Sequence, residues 1–205
     1  MFVTLEGVDG AGKSTQARLL AAALGPDTVL LREPGGTPAG ERLRAILKDA
    51  SVELTPRAEL MLFCAARAEL VDRVIVPALA AGRDVVCDRF ADSTAAYQGG
   101  ARDIDPDLVG ALNAAAVRDC VPDRTVLLRL DTGVATERAH GRCDAPISDR
   151  FESEGPGFQD RIAAEFERLA AAEPDRFVVI DAGGSVEEVH ARVIRGLGLD
   201  VEEGR

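Results

Sequence analysis

Residues 7–14, Gly7-Val8-Asp9-Gly10-Ala11-Gly12-Lys13-Ser14, have the spacing G-x-x-x-x-G-K-[ST], which suits a loop that holds phosphate. The glycines let the backbone curl until successive N–H groups and a helix N-terminus face a β-phosphate, where a Cβ would obstruct. Lys13 then bridges β- and γ-oxygens, and the Ser14 hydroxyl is a ligand for Mg²⁺; Thr15 completes the residues assigned to the triphosphate. A chance match is the alternative reading. Against it, a strand-like run (Phe2 to Leu5) precedes the loop and a helical run (Ser14 to Leu24) follows it, as the chemistry requires.

A second element carries an acid. Asp84-Val85-Val86-Cys87-Asp88-Arg89 is apolar and ends on a carboxylate, as does a strand that offers an acid to a metal's water shell. Asp88 is therefore assigned to Mg²⁺ through water, with a solvated strand end as the bland alternative. Arg89 then stands at the carboxyl edge of a sheet, where open α/β folds bind ligands, and its fork can grip two oxygens of a second phosphate. An ion pair with Asp88 or Asp92 competes with that reading. Phe63 and Arg67 share one face of a helix and offer a ring plane and a donor to a pyrimidine. A core phenylalanine beside a salt-bridged surface arginine would have the same spacing.

Positioning these groups requires a sheet. Five β-branched runs (Phe2 to Leu5, Thr28 to Leu31, Asp84 to Cys87, Thr125 to Leu130, Phe177 to Ile180) alternate with helical stretches. Intervening helices predict parallel strands covered on both faces, an α/β fold with a five-stranded sheet. Thr55-Pro56 and Asp105-Pro106 read as N-cap and N1 pairs, Ser185 with Glu188 as a capping box, and Gly82 as a helix stop. The stretch from Thr55 to Ala81 is apolar almost all round, which predicts a buried central helix.

Composition narrows the partners. At 205 residues, with 46% hydrophobic and 29% charged residues, the chain suits one globular domain. A net charge of −11 speaks against nucleic-acid binding, which needs a basic footprint. Arginines clustered in one cleft can still set a positive local potential. Lys13 and Lys48 are the only lysines among 24 basic residues, so Lys13 stands out. Cys64, Cys87, Cys120 and Cys143 form no C-x-x-C pair and predict reduced thiols rather than zinc ligands. Met1 leads straight into a strand and no long apolar run occurs, so a cytoplasmic location without signal peptide or membrane span is expected. A guanine-reading N-K-x-D tetrad is absent, which weighs against a GTPase switch.

Several strings act together: the acidic third residue of the phosphate loop, Arg32-Glu33-Pro34-Gly35-Gly36-Thr37, Phe63 with Arg67, and Asp88-Arg89-Phe90 leading to Ser93-Thr94 and Tyr97-Gln98-Gly99-Gly100. With Asp149-Arg150-Phe151-Glu152 they resemble the thymidylate kinases of bacterial type over nearly the whole chain. The resemblance implies a P-loop kinase fold, one domain over 1–205, a mobile lid over about 137–158, and phosphorylation of thymidine monophosphate (dTMP) by ATP with Mg²⁺. It implies that Arg89 binds the acceptor phosphate and that Asp9 faces the acceptor's 3′-hydroxyl and the metal region. Glu33, Phe63, Arg67, Thr94, Tyr97 and Gln98 would line the dTMP pocket, with Tyr97 crowding the 2′ position. Arg138, Arg142 and Arg150 are candidate clamps for the transferring phosphoryl, or else charged groups of a loop that makes no direct contact. Lys13, Arg89, Arg142, Arg150 and Asp9 then form the expected catalytic set. Asp181-Ala182-Gly183-Gly184 resembles the family's adenine-holding loop, though a plain turn would use the same residues. The family also implies a homodimer, formed through the central helix. Phe90 departs from the tyrosine or histidine common at its place.

Overall fold

In the computed structural model, which describes residues 1–141 and 156–199, the β-branched runs become five strands. These are β1 (Phe2–Glu6), β2 (Val29–Arg32), β3 (Val85–Asp88), β4 (Arg124–Arg129) and β5 (Phe177–Asp181). All neighbours pair in parallel, in the order β2-β3-β1-β4-β5. Four strands run one residue further than the apolar pattern predicts, ending on Glu6, Arg32, Asp88 and Asp181. The register aligns Leu5 and Arg32 with Asp88, so these polar ends gather at one carboxyl edge. Ligands of open α/β sheets bind at that edge.

The helices are α1 (Lys13–Leu24), α2 (Pro38–Lys48), α3 (Pro56–Leu70), α4 (Val76–Ala80), α5 (Ala91–Thr94), α6 (Pro106–Val117), α7 (Thr132–His140), α8 (Pro156–Ala172) and α9 (Val186–Gly196). A π-helical stretch, Val71–Ile75, joins α3 to α4, and another, Ala95–Ala101, follows α5. The capping signals hold. Thr55 and Asp105 accept from backbone amides of the turns they open, and Ser185 and Glu188 exchange bonds of 3.2 and 2.8 Å. Gly82 takes a left-handed φ of 72° just past α4 and stops it.

Helices cover both faces of the sheet, as β3 makes plain. Val85 and Cys87 pack with Leu70, Val71 and Ile75 from the long helix, while Val86 between them joins Leu5, Leu20 and Ile194 on the other side. The long helix differs from expectation. Leu60, Cys64, Leu70 and Ile75 are buried, but Met61 and Val76 are 43% and 46% exposed. Its apolar character is thus split between a face that meets the sheet and α6 and a face left open. Among the described residues no helix is long and apolar enough to cross a membrane.

Candidate active site

The phosphate loop is the turn between β1 and α1, and its glycines are required by geometry. Gly10 and Gly12 have φ of 88° and 96°, in the left-handed region. A Cβ on Gly10 would lie 1.9 Å from the Ala135 carbonyl oxygen, whereas one on Gly12 would meet no protein atom within 4 Å. The space beside Gly12 is therefore open, and the N-terminus of α1 has no side-chain cap. Gly10 through Thr15, with Asp9, line a cleft of about 900 Å³. Gly7 and Val8 sit behind this surface, where their carbonyls accept from Arg89 Nη1 at 3.4 Å and from Lys13 Nζ at 2.7 Å. They shape the loop from within.

Charge accumulates around Lys13. Burial and the nearby Arg89 cation draw its ammonium down to about 8, against the pull of Asp9, Asp88 and Glu6. Asp9 behaves oppositely. Burial would raise its carboxyl, but Arg89, Lys13 and the Tyr97 hydroxyl hold it well below the usual carboxylate range. Ser14 Oγ donates to Asp88 Oδ2 at 2.5 Å, so the hydroxyl and the acid assigned to one metal stand together.

Arg89 has a left-handed φ of 68°, which a non-glycine residue adopts only when its surroundings impose it. Its guanidinium donates to Asp9 Oδ1 at 2.5 Å, to Ser93 Oγ at 3.0 Å and to the Tyr97 hydroxyl at 3.0 Å. It also lies 5.0 Å from the centroid of the Tyr97 ring. The alternative partners Asp88 and Asp92 are not the ones it takes: Asp92 pairs with Arg176 at 2.7 Å.

Beyond Arg89 the cleft is walled by Phe63, Arg67, Thr94, Tyr97 and Gln98, all of them expected acceptor residues. Arg67 is 1% exposed, not a surface residue. Its donors go to Glu33 Oε2 (2.9 Å), Asn113 Oδ1 (2.7 Å), the Phe90 carbonyl (3.0 Å) and Thr94 Oγ1 (2.9 Å). Glu33 reaches the cleft as Arg67's counter-ion, with a closest approach of 2.7 Å, and its Oε1 is buried without a hydrogen-bond partner. Phe63 is half-buried and packs on the core while facing the cleft. Gln98 is buried, and its amide donates to Glu59 at 2.8 Å, which fixes its orientation.

Donor-side residues lie at the other end. Ala182, Gly184, Ser185 and Val186 line the cleft there, and Arg138 donates to the Ala182 carbonyl at 3.2 Å. Arg138 thus faces the adenine-loop region. Arg142 and Arg150 lie outside the described residues, as does most of the expected lid. The parts of 137–158 that are described belong to the end of α7, residue 141 and the start of α8.

Four contributors were missed in the sequence. Arg44, whose Nη1 donates to the Pro34 carbonyl at 2.8 Å, and Lys48 lie one turn apart on α2 and line the same cleft. Their spacing of four on an amphipathic helix was the available signal. Glu6, fully buried, accepts from Phe90 N at 2.7 Å and from Ser93 Oγ at 2.6 Å. Burial foremost, then the charge of Asp92, raises its carboxyl to about 7 against Arg89 and its hydrogen bonds. Asn113 orients Arg67 from α6, and only the fold brings the two together.

A parallel sheet that offers a curled amide loop at its carboxyl edge, with a second cationic pocket facing it, places the chain among the P-loop kinases of nucleoside monophosphates. A family model described as "Thymidylate kinase" matches residues 5–193. The chain belongs to the thymidylate kinase family. It is 48% identical over 202 residues to a thymidylate kinase of Rhizorhabdus wittichii, covering 96% of each chain. It is 50% identical over 197 residues to one of Solidesulfovibrio magneticus, covering 92% of this chain and 94% of that one. A crystal structure of thymidylate kinase from Ehrlichia chaffeensis superposes with a TM-score of 0.80 at 35% identity, covering 96% of this chain and 98% of that one.

Proposed function

We propose that the chain performs its family's reaction, transferring the γ-phosphoryl group of ATP to dTMP to give dTDP and ADP, with Lys13, Arg89, Asp9 and Mg²⁺ at the centre. Gly10 through Thr15 hold the β- and γ-phosphates through backbone amides and the Lys13 ammonium. Arg89 holds the acceptor phosphate, and Arg44 and Lys48 add positive charge from the other wall. The acceptor phosphate is already an anion, so no general base is needed, and catalysis is mostly positioning and charge neutralisation.

The observation that carries this reading is the placement of Arg89. It touches Asp9 of the phosphate loop on one side and Tyr97 of the acceptor wall on the other. A phosphate gripped there lies next to the loop that holds the donor. Arg89→Ala tests it: the KM for dTMP rises and kcat falls, and an unchanged KM for dTMP removes Arg89 from the acceptor site.

The donor set fits Mg²⁺, a hard cation that takes oxygen ligands and keeps several waters. The Ser14 hydroxyl and the Asp88 carboxylate stand together at the loop's edge, with Asp9 further along the loop. Ser14 would bind the ion directly and Asp88 through water. When bound, the ion neutralises charge on the transferring group.

On the acceptor side, Arg67 offers its buried guanidinium to the base, and Phe63 offers a ring face. Glu33 acts through Arg67, Thr94 through its bond to the same guanidinium, and Gln98 from its place on Glu59. The Tyr97 hydroxyl is fixed between Asp9 and Arg89, so its ring crowds the 2′ carbon and favours deoxyribose. Arg142 and Arg150 are assigned to the transferring phosphoryl, and Ala182 to Gly184, with Arg138 beside them, to the adenine.

The exposed face of α3, with Met61 and Ala65, is the surface we assign to a homodimer. Light scattering of the purified protein tests it, with a mass near twice 21.6 kDa expected. The three described cysteines are free and buried, in keeping with a reducing, cytoplasmic setting.

A further inference from the structure

We propose that Glu6 is a positioning residue for acceptor binding, holding Arg89 in place through the backbone and side chain of the segment that follows β3. The inference rests on the reading of Arg89 as the acceptor-phosphate ligand. Glu6 is the last residue of β1, has no exposed surface, and lies just before the phosphate loop. Every hydrogen bond its side chain makes among the described residues goes to two residues of one segment. Its Oε1 accepts from the Phe90 N–H at 2.7 Å and the Ser93 N–H at 3.2 Å, and its Oε2 from Ser93 Oγ at 2.6 Å.

Those bonds bracket Arg89. The Arg89 N–H donates to the Leu5 carbonyl at 3.0 Å, so β1 holds the residue's amide while Glu6 holds the amide after it. Together they fix the left-handed φ of 68° that turns the Arg89 side chain back over the phosphate loop. A conformation of that kind persists only where neighbours over-determine it. The side chain is steered as well. Ser93 Oγ gives its proton to Glu6 and accepts from Arg89 Nη1 at 3.0 Å, so the carboxylate orients the hydroxyl that locates the guanidinium. Phe90, which opens α5, has no side-chain cap of its own, and Glu6 supplies that bond from β1. A catalytic role is not implied, because other residues line the cleft and Glu6 does not.

Steady-state kinetics on Glu6→Ala, Ser93→Ala and Arg89→Ala, with dTMP and ATP varied separately, tests the proposal. In Glu6→Ala the KM for dTMP rises about tenfold or more, as expected for loss of charge-assisted hydrogen bonds, while the KM for ATP stays within about twofold. Ser93→Ala moves the dTMP KM the same way by a smaller factor. A folded Glu6→Ala with unchanged dTMP KM, or with both KM values rising in parallel, overturns the positioning role. Should Glu6→Ala not fold, Ser93→Ala decides, and an unchanged dTMP KM there overturns it equally. Arg89→Ala separates the two readings: if it leaves the dTMP KM unchanged, the assignment of Arg89 itself fails, whereas a rise there without one in Glu6→Ala defeats only the inference about Glu6.

Discussion

Arg89 donates to Asp9 at 2.5 Å, which ties the residue after β3 to the third position of the phosphate loop. A carboxylate among triphosphate oxygens would be repulsive on its own. Held by Arg89 it keeps the guanidinium at the junction of the two ligand sites, and it screens that charge until an acceptor phosphate arrives. Asp9→Asn removes the ion pair while keeping the hydrogen-bonding shape. The expected result is a fall in kcat of about 10²-fold, since loss of one preorganised electrostatic partner typically costs that much. Calorimetry with dTMP alone should show a smaller change in affinity. An unchanged kcat would place Asp9 outside the reaction centre.

Arg67 and Glu33 are a buried pair, at 1% and 4% side-chain exposure. Removing one partner leaves an uncompensated charge, at a cost of about 3–5 kcal/mol. Arg67→Met should therefore lower the Tm by roughly 10 °C in thermal unfolding. Adding Glu33→Gln should restore much of that loss while leaving dTMP affinity impaired. Recovery of both quantities together would deny Arg67 a direct part in holding the base.

The glycines at positions 10 and 12 predict different failures. In Gly10→Ala the new methyl meets the Ala135 carbonyl at 1.9 Å, so the loop must shift and the Tm falls markedly. In Gly12→Ala nothing of the protein is struck, and the cost to folding is the left-handed backbone alone, about 1–2 kcal/mol. Its methyl would instead occupy open cleft, so ATP affinity should fall by a larger factor than stability suggests. Equal Tm losses with equal ATP affinities would contradict this division.

Glu6 gives a pH dependence. Its carboxyl, ordinarily near 4.5, is raised to about 7 in the folded chain, chiefly by burial. The folded state therefore keeps a proton that the unfolded state releases. This contribution to stability is complete below about pH 4.5 and is lost as pH rises through about 7. Glu6→Gln has no such titration. The Tm advantage of the parent over Glu6→Gln should shrink by several degrees between about pH 5 and about pH 8. A difference that grows with pH would reverse the sign and remove burial as the dominant influence.

The elements closest to the phosphate chemistry were legible because local chemistry dictates them. A glycine-wrapped turn between an apolar strand and a helix can be read residue by residue, and the caps at Thr55, Asp105 and Ser185 follow from side chains a few positions away. Strand ends were missed by one residue because Glu6, Arg32, Asp88 and Asp181 are polar, and polarity there reflects the ligand edge rather than the end of pairing. The exposed side of the helix from Thr55 to Ala81 was illegible because an apolar surface face and an apolar core face look alike in sequence. Arg67 was placed in the pocket, but its burial was not foreseen. Its partners Glu33, Phe90, Thr94 and Asn113 come from three segments that only the topology brings together. Glu6 was passed over for the same reason.

The central claim is that this cleft moves a phosphoryl group between two nucleotides rather than to water. It is tested most directly by following product formation from ATP and Mg²⁺ with dTMP and, separately, with each other common nucleoside monophosphate. One dTDP for each ADP released is expected, with dTMP far ahead of the ribonucleotides. ADP release that proceeds equally without dTMP, or a faster reaction with a ribonucleoside monophosphate, would contradict the account.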